Sequence, residues 1–96
     1  MFLHIGSNVL VKTDDVIGVF NINSLKEDIK GRKFYNEIRQ DKEVKDISEG
    51  KQSSIILTSD TVYISRISSA TLLGRSRHSV QEMLAGEEGG EEKTNK

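Results

Sequence analysis

Cysteine and tryptophan are absent from this 96-residue chain, and hydrophobic residues make up only 34% of it. Without cysteine, the chain can form neither a disulfide framework nor a thiolate metal site. A single small domain with so little apolar surface has a marginal core when it stands alone. We therefore expect one domain that gains buried surface by forming a homo-oligomer.

Segments that would direct the chain to or through a membrane are also lacking. Residues 1–6, MFLHIG, contain neither a basic region nor a long apolar run. They therefore predict neither a signal peptide nor a membrane-spanning helix. We expect a cytoplasmic protein that makes no contact with membranes.

Side chains that could carry catalysis are scarce. The only histidines are His4, in a predicted strand, and His78, near the acidic end of the chain. Neither suggests a nucleophile with an adjacent base, and no glycine-rich phosphate loop precedes a helix. Asp14 and Asp15 could bind a hard cation, although adjacent aspartates more often solvate or cap a turn. We expect no enzyme activity, no cofactor, no metal site and no small-molecule substrate.

The segment 53–77 contains the clearest local pattern. Residues 54–58 and 61–65 are rich in β-branched and aromatic side chains and are separated only by Ser59-Asp60, which predicts a hairpin. Residues 2–5 and 9–12, joined by Gly6-Ser7-Asn8, predict another hairpin. Residues 16–22 predict the central strand, in which Gly18 marks a bulge or a close backbone approach.

Helical patterns are fewer. Ser24 and Glu27 have the spacing of a capping box, which Gly31 soon interrupts. Residues 32–42 predict an amphipathic helix with Phe34, Tyr35 and Ile38 on its apolar face. Residues 44–47 predict a brief extended return, and a serine cap at 68 precedes a short apolar helix. The fold class is therefore α+β: a small β-rich domain of about five short strands, namely two hairpins plus a central strand, with one crossing helix and a short C-terminal helix.

The charge of the chain is unevenly distributed. Residues 79–96 carry five glutamates against two lysines, and the remaining chain has 12 basic and 10 acidic residues, a net charge of +2. From Ala85 onward no apolar residue anchors the sequence, which predicts a disordered acidic tail. We expect a domain over 1–78 and a tail over 79–96.

Four basic residues near the second hairpin could meet DNA phosphates: Lys51, Arg66, Arg75 and Arg77. Arginine and lysine neutralise backbone charge and release counterions, and the gain grows with the number of phosphates neutralised. One protomer offers too few such cations, whereas a ring would repeat each of them around its rim. In the alternative interpretation, Arg66, Arg75 and Arg77 pair with carboxylates or with a neighbouring subunit.

Four strings occur in order along the chain: FLHIG at 2–6, DVIGVF at 15–20, KF at 33–34 and ISRISSATL at 64–72. Together they resemble the RemA/RemB family of bacterial extracellular matrix regulators, and especially its YaaB-like RemB branch. The resemblance spans Met1 to about His78. The last string is the most specific, since the branch typically reads Ser-Pro-(Leu or Ile)-Ser-Ser-x-Thr-Leu there; this chain has Arg66 where proline is usual.

The resemblance implies a closed ring, with an octamer as one expected size, and, for the RemA branch, binding of double-stranded DNA that activates biofilm matrix genes. The DNA-contacting cations of RemA-like proteins lie just before the third strand and in an arginine-rich loop ahead of the final hairpin. Here those positions read Asp14-Asp15 and Gly50-Lys51-Gln52. Only Lys51 keeps the charge, and an aspartate pair facing phosphate would be repulsive.

Two functions are consistent with these observations. The first is a non-enzymatic, ring-forming regulator of extracellular matrix and biofilm genes that binds DNA through Lys51, helped by Arg66, Arg75 and Arg77. The second is an oligomeric scaffold or adaptor that binds other proteins and not DNA, which Asp14-Asp15 favours.

Overall fold

The computed structural model describes residues 1–75, so His78 and the predicted acidic tail lie outside the described residues. The strands are β1 (Phe2–His4), β2 (Leu10–Lys12), β3 (Val16–Asn21), β4 (Glu43–Asp46), β5 (Ser54–Thr58) and β6 (Thr61–Ser65). The helices are α1 (Ile22–Lys26), α2 (Ile29–Asp41) and α3, whose described part is residues 69–75. A 3-10 helix, Thr13–Asp15, joins β2 to β3. The α+β class is confirmed.

The four-stranded sheet has the order β3-β5-β6-β4, which makes β3 an edge strand. The prediction that residues 16–22 form the central strand was therefore wrong. The centre belongs to β5 and β6, because both faces of β5 are covered and all five of its residues are buried. The register of β3 shifts between Val16 and Gly18, which confirms the bulge, and leaves Ile17 63% exposed.

The described residues contain six strands rather than about five. The segment expected to be a brief extended return is β4, which pairs in parallel with β6 and places Val44 beside Val62. All four residues of β4 are exposed, and Val44 is its one apolar residue. The strand therefore lacks the alternation of apolar and polar residues that identifies a half-buried strand. Its pairing depends on α2, which carries the chain back across the sheet.

The core has two halves, one on each face of the four-stranded sheet. On one face, Tyr35 and Ile38 of α2 pack against the sheet, which confirms the predicted apolar face of this helix. On the other face the sheet residue Ile56 packs beneath the first hairpin and α3. The buried residues of this second half are Leu3, Ile5, Val11, Ile56 and Leu72. The described residues thus form three layers: the first hairpin with α3, the four-stranded sheet, and α1 with α2.

The first hairpin, β1–β2, forms a separate two-stranded sheet. Its turn requires left-handed backbone at three successive residues, with φ of 110° at Gly6, 49° at Ser7 and 62° at Asn8, so the predicted Gly-Ser-Asn turn is confirmed. The buried Ser65 hydroxyl donates a hydrogen bond to the Ile5 carbonyl oxygen at 2.7 Å. This bond ties the hairpin to the sheet.

The corner between α1 and α2 differs from the predicted capping box. The Asn21 side chain, not that of Ser24, caps α1, since its Oδ1 accepts a hydrogen bond from the Ser24 amide at 3.0 Å. A second cap begins α2, where Asp28 Oδ1 accepts from the Gly31 amide at 2.7 Å. Gly31 therefore lies in the first turn of α2 and does not interrupt it. The helix begins at Ile29, three residues earlier than expected.

Candidate functional site

The loop between β4 and β5 carries Lys51 and is held in place by hydrogen bonds. Within it, the Lys51 amide donates to the Ser48 carbonyl oxygen at 3.2 Å. Glu49 and Gly50, between them, have φ of 57° and 87°, the left-handed backbone of a type I′ turn. We call residues 48–51 the lysine turn. Its backbone is fixed, and Lys51 is exposed to solvent.

Asp46, at the end of β4, anchors the lysine turn. Its Oδ1 accepts hydrogen bonds from the Ser48 hydroxyl at 2.6 Å and the Ser48 amide at 2.9 Å, and its Oδ2 accepts from Gln52 Nε2 at 3.0 Å. The hydrogen bonds from the Ser48 side chain, the Ser48 amide and Gln52 lower the pKa of Asp46, and burial opposes them. The ionised carboxylate therefore holds both sides of the turn.

Asp46→Asn is expected to lower the free energy of unfolding by less than about 1 kcal/mol at neutral pH, because solvent screens this exposed group. Since the folded-state pKa is lowered, the stabilisation is present above the unfolded pKa and is lost as pH falls through the folded pKa. The difference between wild type and variant should therefore shrink below about pH 4. Urea unfolding of both proteins across this range measures it, and a constant difference would contradict the role of the carboxylate.

Arg66 lies beside the lysine turn, immediately after β6. Its Nη1 is 3.0 Å from Glu49 Oε1, and the two side chains are 43% and 64% exposed. An exposed pair of this kind contributes about 0–1 kcal/mol, so Arg66 can exchange the glutamate for another anion at little cost. The structure therefore brings Arg66 and the lysine turn together. The ion pair with Glu49 is also the kind of contact that the alternative interpretation predicted for Arg66.

Arg75 belongs to α3 and contacts the first hairpin. Its Nη1 donates to the His4 carbonyl oxygen at 2.8 Å, which fixes the exposed guanidinium against β1. The turn of the same hairpin reaches the loop that carries Lys51, since the Ser7 hydroxyl donates to the Ile47 carbonyl oxygen at 3.1 Å. Lys51, Arg66 and Arg75 are thus carried by segments that meet at one end of the sheet. Arg77 lies outside the described residues.

Asp14 and Asp15 lie at the opposite end of the sheet. The next residue, Val16, pairs with Thr58 at the far end of β5, whereas the loop carrying Lys51 enters β5 at Ser54. At 3.3 Å per residue, the ends of β5 are about 13 Å apart. The Debye length is only about 8 Å at physiological salt, so most of the aspartate charge is screened from the lysine turn.

Residues 1–75 contain no group of three or more histidine, cysteine, aspartate or glutamate side chains that could hold a metal ion. Asp14 and Asp15 are exposed within the 3-10 helix, in keeping with a solvated turn. His4 is exposed on β1, and its backbone carbonyl oxygen accepts the hydrogen bond from Arg75. No helix within the same residues has the length and apolar character needed to cross a bilayer.

A cleft between α2 and β4 was not identified from the sequence. Its lining includes Tyr35 of α2 and three cations, Lys26, Arg32 and Arg39, of which Lys26 and Arg39 lie over the Tyr35 ring. A partial signal was present, because Arg32, Tyr35 and Arg39 recur at three- and four-residue intervals and share one helix face. The contribution of α1 and β4 to the same cleft, however, has no signature in the local sequence.

The family model described as RemA-like, extracellular matrix regulatory protein A-like, matches residues 2–75 of this chain. The match spans every strand and helix described above. A search of curated proteins finds no match.

Proposed function

The chain belongs to the RemA-like family, described as extracellular matrix regulatory protein A-like, and from this we propose that it is a non-enzymatic regulator of extracellular matrix genes that binds double-stranded DNA as a closed homo-oligomer. The observation that carries the DNA-binding part is the placement of Lys51. The lysine turn holds its backbone, Arg66 lies beside it, and the aspartate pair that would repel phosphate lies at the other end of the sheet.

Ring formation is supported by the outer face of the first hairpin. Phe2 and Leu10 on this face are 55% and 59% exposed. With Tyr63 and Asp15 they line a groove that reaches the turn between β5 and β6. Exposed apolar surface of this kind often marks a protein contact, and a head-to-tail contact closes into a ring when its rotation allows. A ring would repeat Lys51 around its rim and make DNA binding multivalent.

The Phe2→Glu/Leu10→Glu double variant is expected to shift the oligomer to smaller species. Burying one large apolar side chain contributes about 1.5–3 kcal/mol, and the introduced charges would be desolvated at the same contact. Size-exclusion chromatography with light scattering measures the change. Ile29→Glu is the control, since Ile29 is 75% exposed at the start of α2, away from the hairpin. An oligomer unaffected by the double variant would exclude this face from the subunit contact.

The experiment that tests the proposed function combines mass and DNA binding on one sample. The oligomeric peak from size-exclusion chromatography is mixed with double-stranded DNA in gel shifts at low and moderate salt. We expect a shift that weakens steeply with salt, because each phosphate contact contributes about −0.9 to the slope of log K against log salt. A monomer would contradict the ring, and an oligomer that ignores DNA at low salt would contradict DNA binding.

The second candidate function is a scaffold that binds other proteins and not DNA. The observation that favours it is the exposed acidic pair Asp14-Asp15 next to the groove at Phe2 and Leu10, a combination of negative charge and apolar surface suited to a basic protein partner. Affinity capture with the wild-type oligomer tests it. A protein whose capture requires Asp14 and Asp15 would support the scaffold, and recovery of nucleic acid without protein would count against it.

A further inference from the structure

The cleft between α2 and β4 has the volume of a small-molecule site. It is an open groove with a volume of about 460 Å³, within the range of about 300–1,000 Å³ that is usual for such sites. Tyr35 forms one side, and Ile64 and Val44 of the sheet contribute apolar surface. Val44 is 40% exposed, whereas Ile64 and Tyr35 are buried, so Val44 is the apolar group most accessible to a ligand.

Three cations line this cleft, and within residues 1–75 none of them has a carboxylate partner, since the one ion pair there joins Arg66 and Glu49. The Arg39 guanidinium carbon lies 4.2 Å from the centre of the Tyr35 ring, and Lys26 Nζ lies 5.9 Å from it. Cation–π attraction to the ring orients the Lys26 ammonium and the Arg39 guanidinium. The cleft thus gathers cations from α1 and α2 over one aromatic side chain.

Both arginines keep donors free for a ligand. Arg32 Nη1 donates to the Lys26 carbonyl oxygen at 2.8 Å, and Arg39 Nη2 donates to Asn36 Oδ1 at 2.7 Å. A guanidinium has five N–H donors in a planar fork, so most of each fork is unused by these bonds. Planar forks of this kind bind phosphate oxygens in pairs.

Within residues 1–75, Asp46 is the only acidic residue that lines the cleft. Its oxygens already accept three hydrogen bonds from Ser48 and Gln52, which disperse its negative charge toward the lysine turn. The lining therefore carries three cations against one carboxylate that is engaged elsewhere, and it favours an anion.

We infer that this cleft binds a small phosphorylated molecule that also carries a planar or apolar group, as a nucleoside diphosphate does. The phosphates would meet Lys26, Arg32 and Arg39, and the base would lie over Val44. A DNA backbone fits less well, because the cations converge on a concave site with apolar surface that a sugar-phosphate strand would leave uncovered. The inference is independent of DNA binding at Lys51.

Isothermal titration calorimetry of the full-length protein tests the site with three probes: ADP, inorganic pyrophosphate and adenosine. We expect saturable binding of ADP, weaker binding of pyrophosphate, which lacks the planar group, and still weaker binding of adenosine, which lacks the phosphates. Failure of both ADP and pyrophosphate to bind saturably at millimolar concentration would overturn the inference. Equal binding of ADP and adenosine would also overturn it, because the cations would then play no part.

The Lys26→Gln/Arg32→Gln double variant is expected to weaken ADP binding about a hundredfold, since each lost charge-assisted hydrogen bond costs about tenfold. Both side chains are exposed, and circular dichroism checks that the fold is retained. Lys30→Gln/Lys33→Gln is the matched control, because it removes the same charge from exposed positions outside the cleft lining. If both variants weakened ADP binding equally, the loss of net charge alone would explain the effect. If the cleft variant lost DNA binding and the wild-type protein did not bind ADP, the cleft would be a nucleic-acid site. Either result overturns the inference.

Discussion

The Lys51→Glu variant is expected to lose DNA binding at about 0.15 M salt, with an affinity at least about a hundredfold below that of wild type. Losing a single charge-assisted contact lowers the affinity about tenfold, and in a ring the contact is lost in every subunit that touches the DNA. The introduced glutamate adds repulsion with phosphate at the same points. Gel shifts over a salt series measure both the affinity and the salt slope, which should become shallower because fewer phosphates are neutralised.

Two variants isolate the role of the Lys51 charge. Lys51→Arg keeps the cation on the same turn and should retain binding. Lys33→Glu makes the same change of net charge at an exposed position on α2 and should alter the affinity much less. Light scattering must show the same oligomer for all three variants. Wild-type affinity in Lys51→Glu at low salt would mean that the lysine turn is not the contact surface.

Gly31→Ala is expected to destabilise the fold by about 2–3 kcal/mol, in the upper part of the usual range of about 1–3 kcal/mol for overpacking. A Cβ atom at this position would overlap the Leu25 carbonyl oxygen and lie 2.9 Å from the Leu25 carbonyl carbon. Both atoms belong to the backbone of α1, so no side-chain rotation relieves the clash and the two helices must separate. Chemical unfolding followed by circular dichroism measures the change. Because α1 and α2 also carry Lys26 and Arg32, ADP binding in the cleft should weaken in the same variant.

Gly74→Ala is the matched control for this substitution. Gly74 is also a helical glycine, but a Cβ atom there meets no atom of residues 1–75 within 4 Å. Alanine in a helix is favoured over glycine by about 0.5–1 kcal/mol, so this variant should be as stable as wild type or slightly more stable. Equal destabilisation by the two substitutions would show that helix propensity, and not the close approach of α1, governs position 31.

Local patterns in the sequence determined the local structures. The β-branched runs on either side of Ser59-Asp60 form the second hairpin, and Gly6-Ser7-Asn8 forms the turn of the first. The apolar spacing of Phe34, Tyr35 and Ile38 identified the buried face of α2. These features depend on side chains a few residues apart, so their signals lie within a short window. The family was likewise recognisable from short strings of residues.

Tertiary structure alone decided which segments became neighbours. It placed β3 at an edge and paired β4 in parallel with β6, because the position of a strand depends on partners distant in the chain. For the same reason it separated the aspartate pair from Lys51 and brought Lys26 of α1 to the cleft beside β4. The sequence by itself determined which cations the protein has. The packing of α1, α2 and the sheet determined which of these cations lie close together. Only the distance in space matters, because the interaction between two charges depends on that distance and not on their separation along the chain.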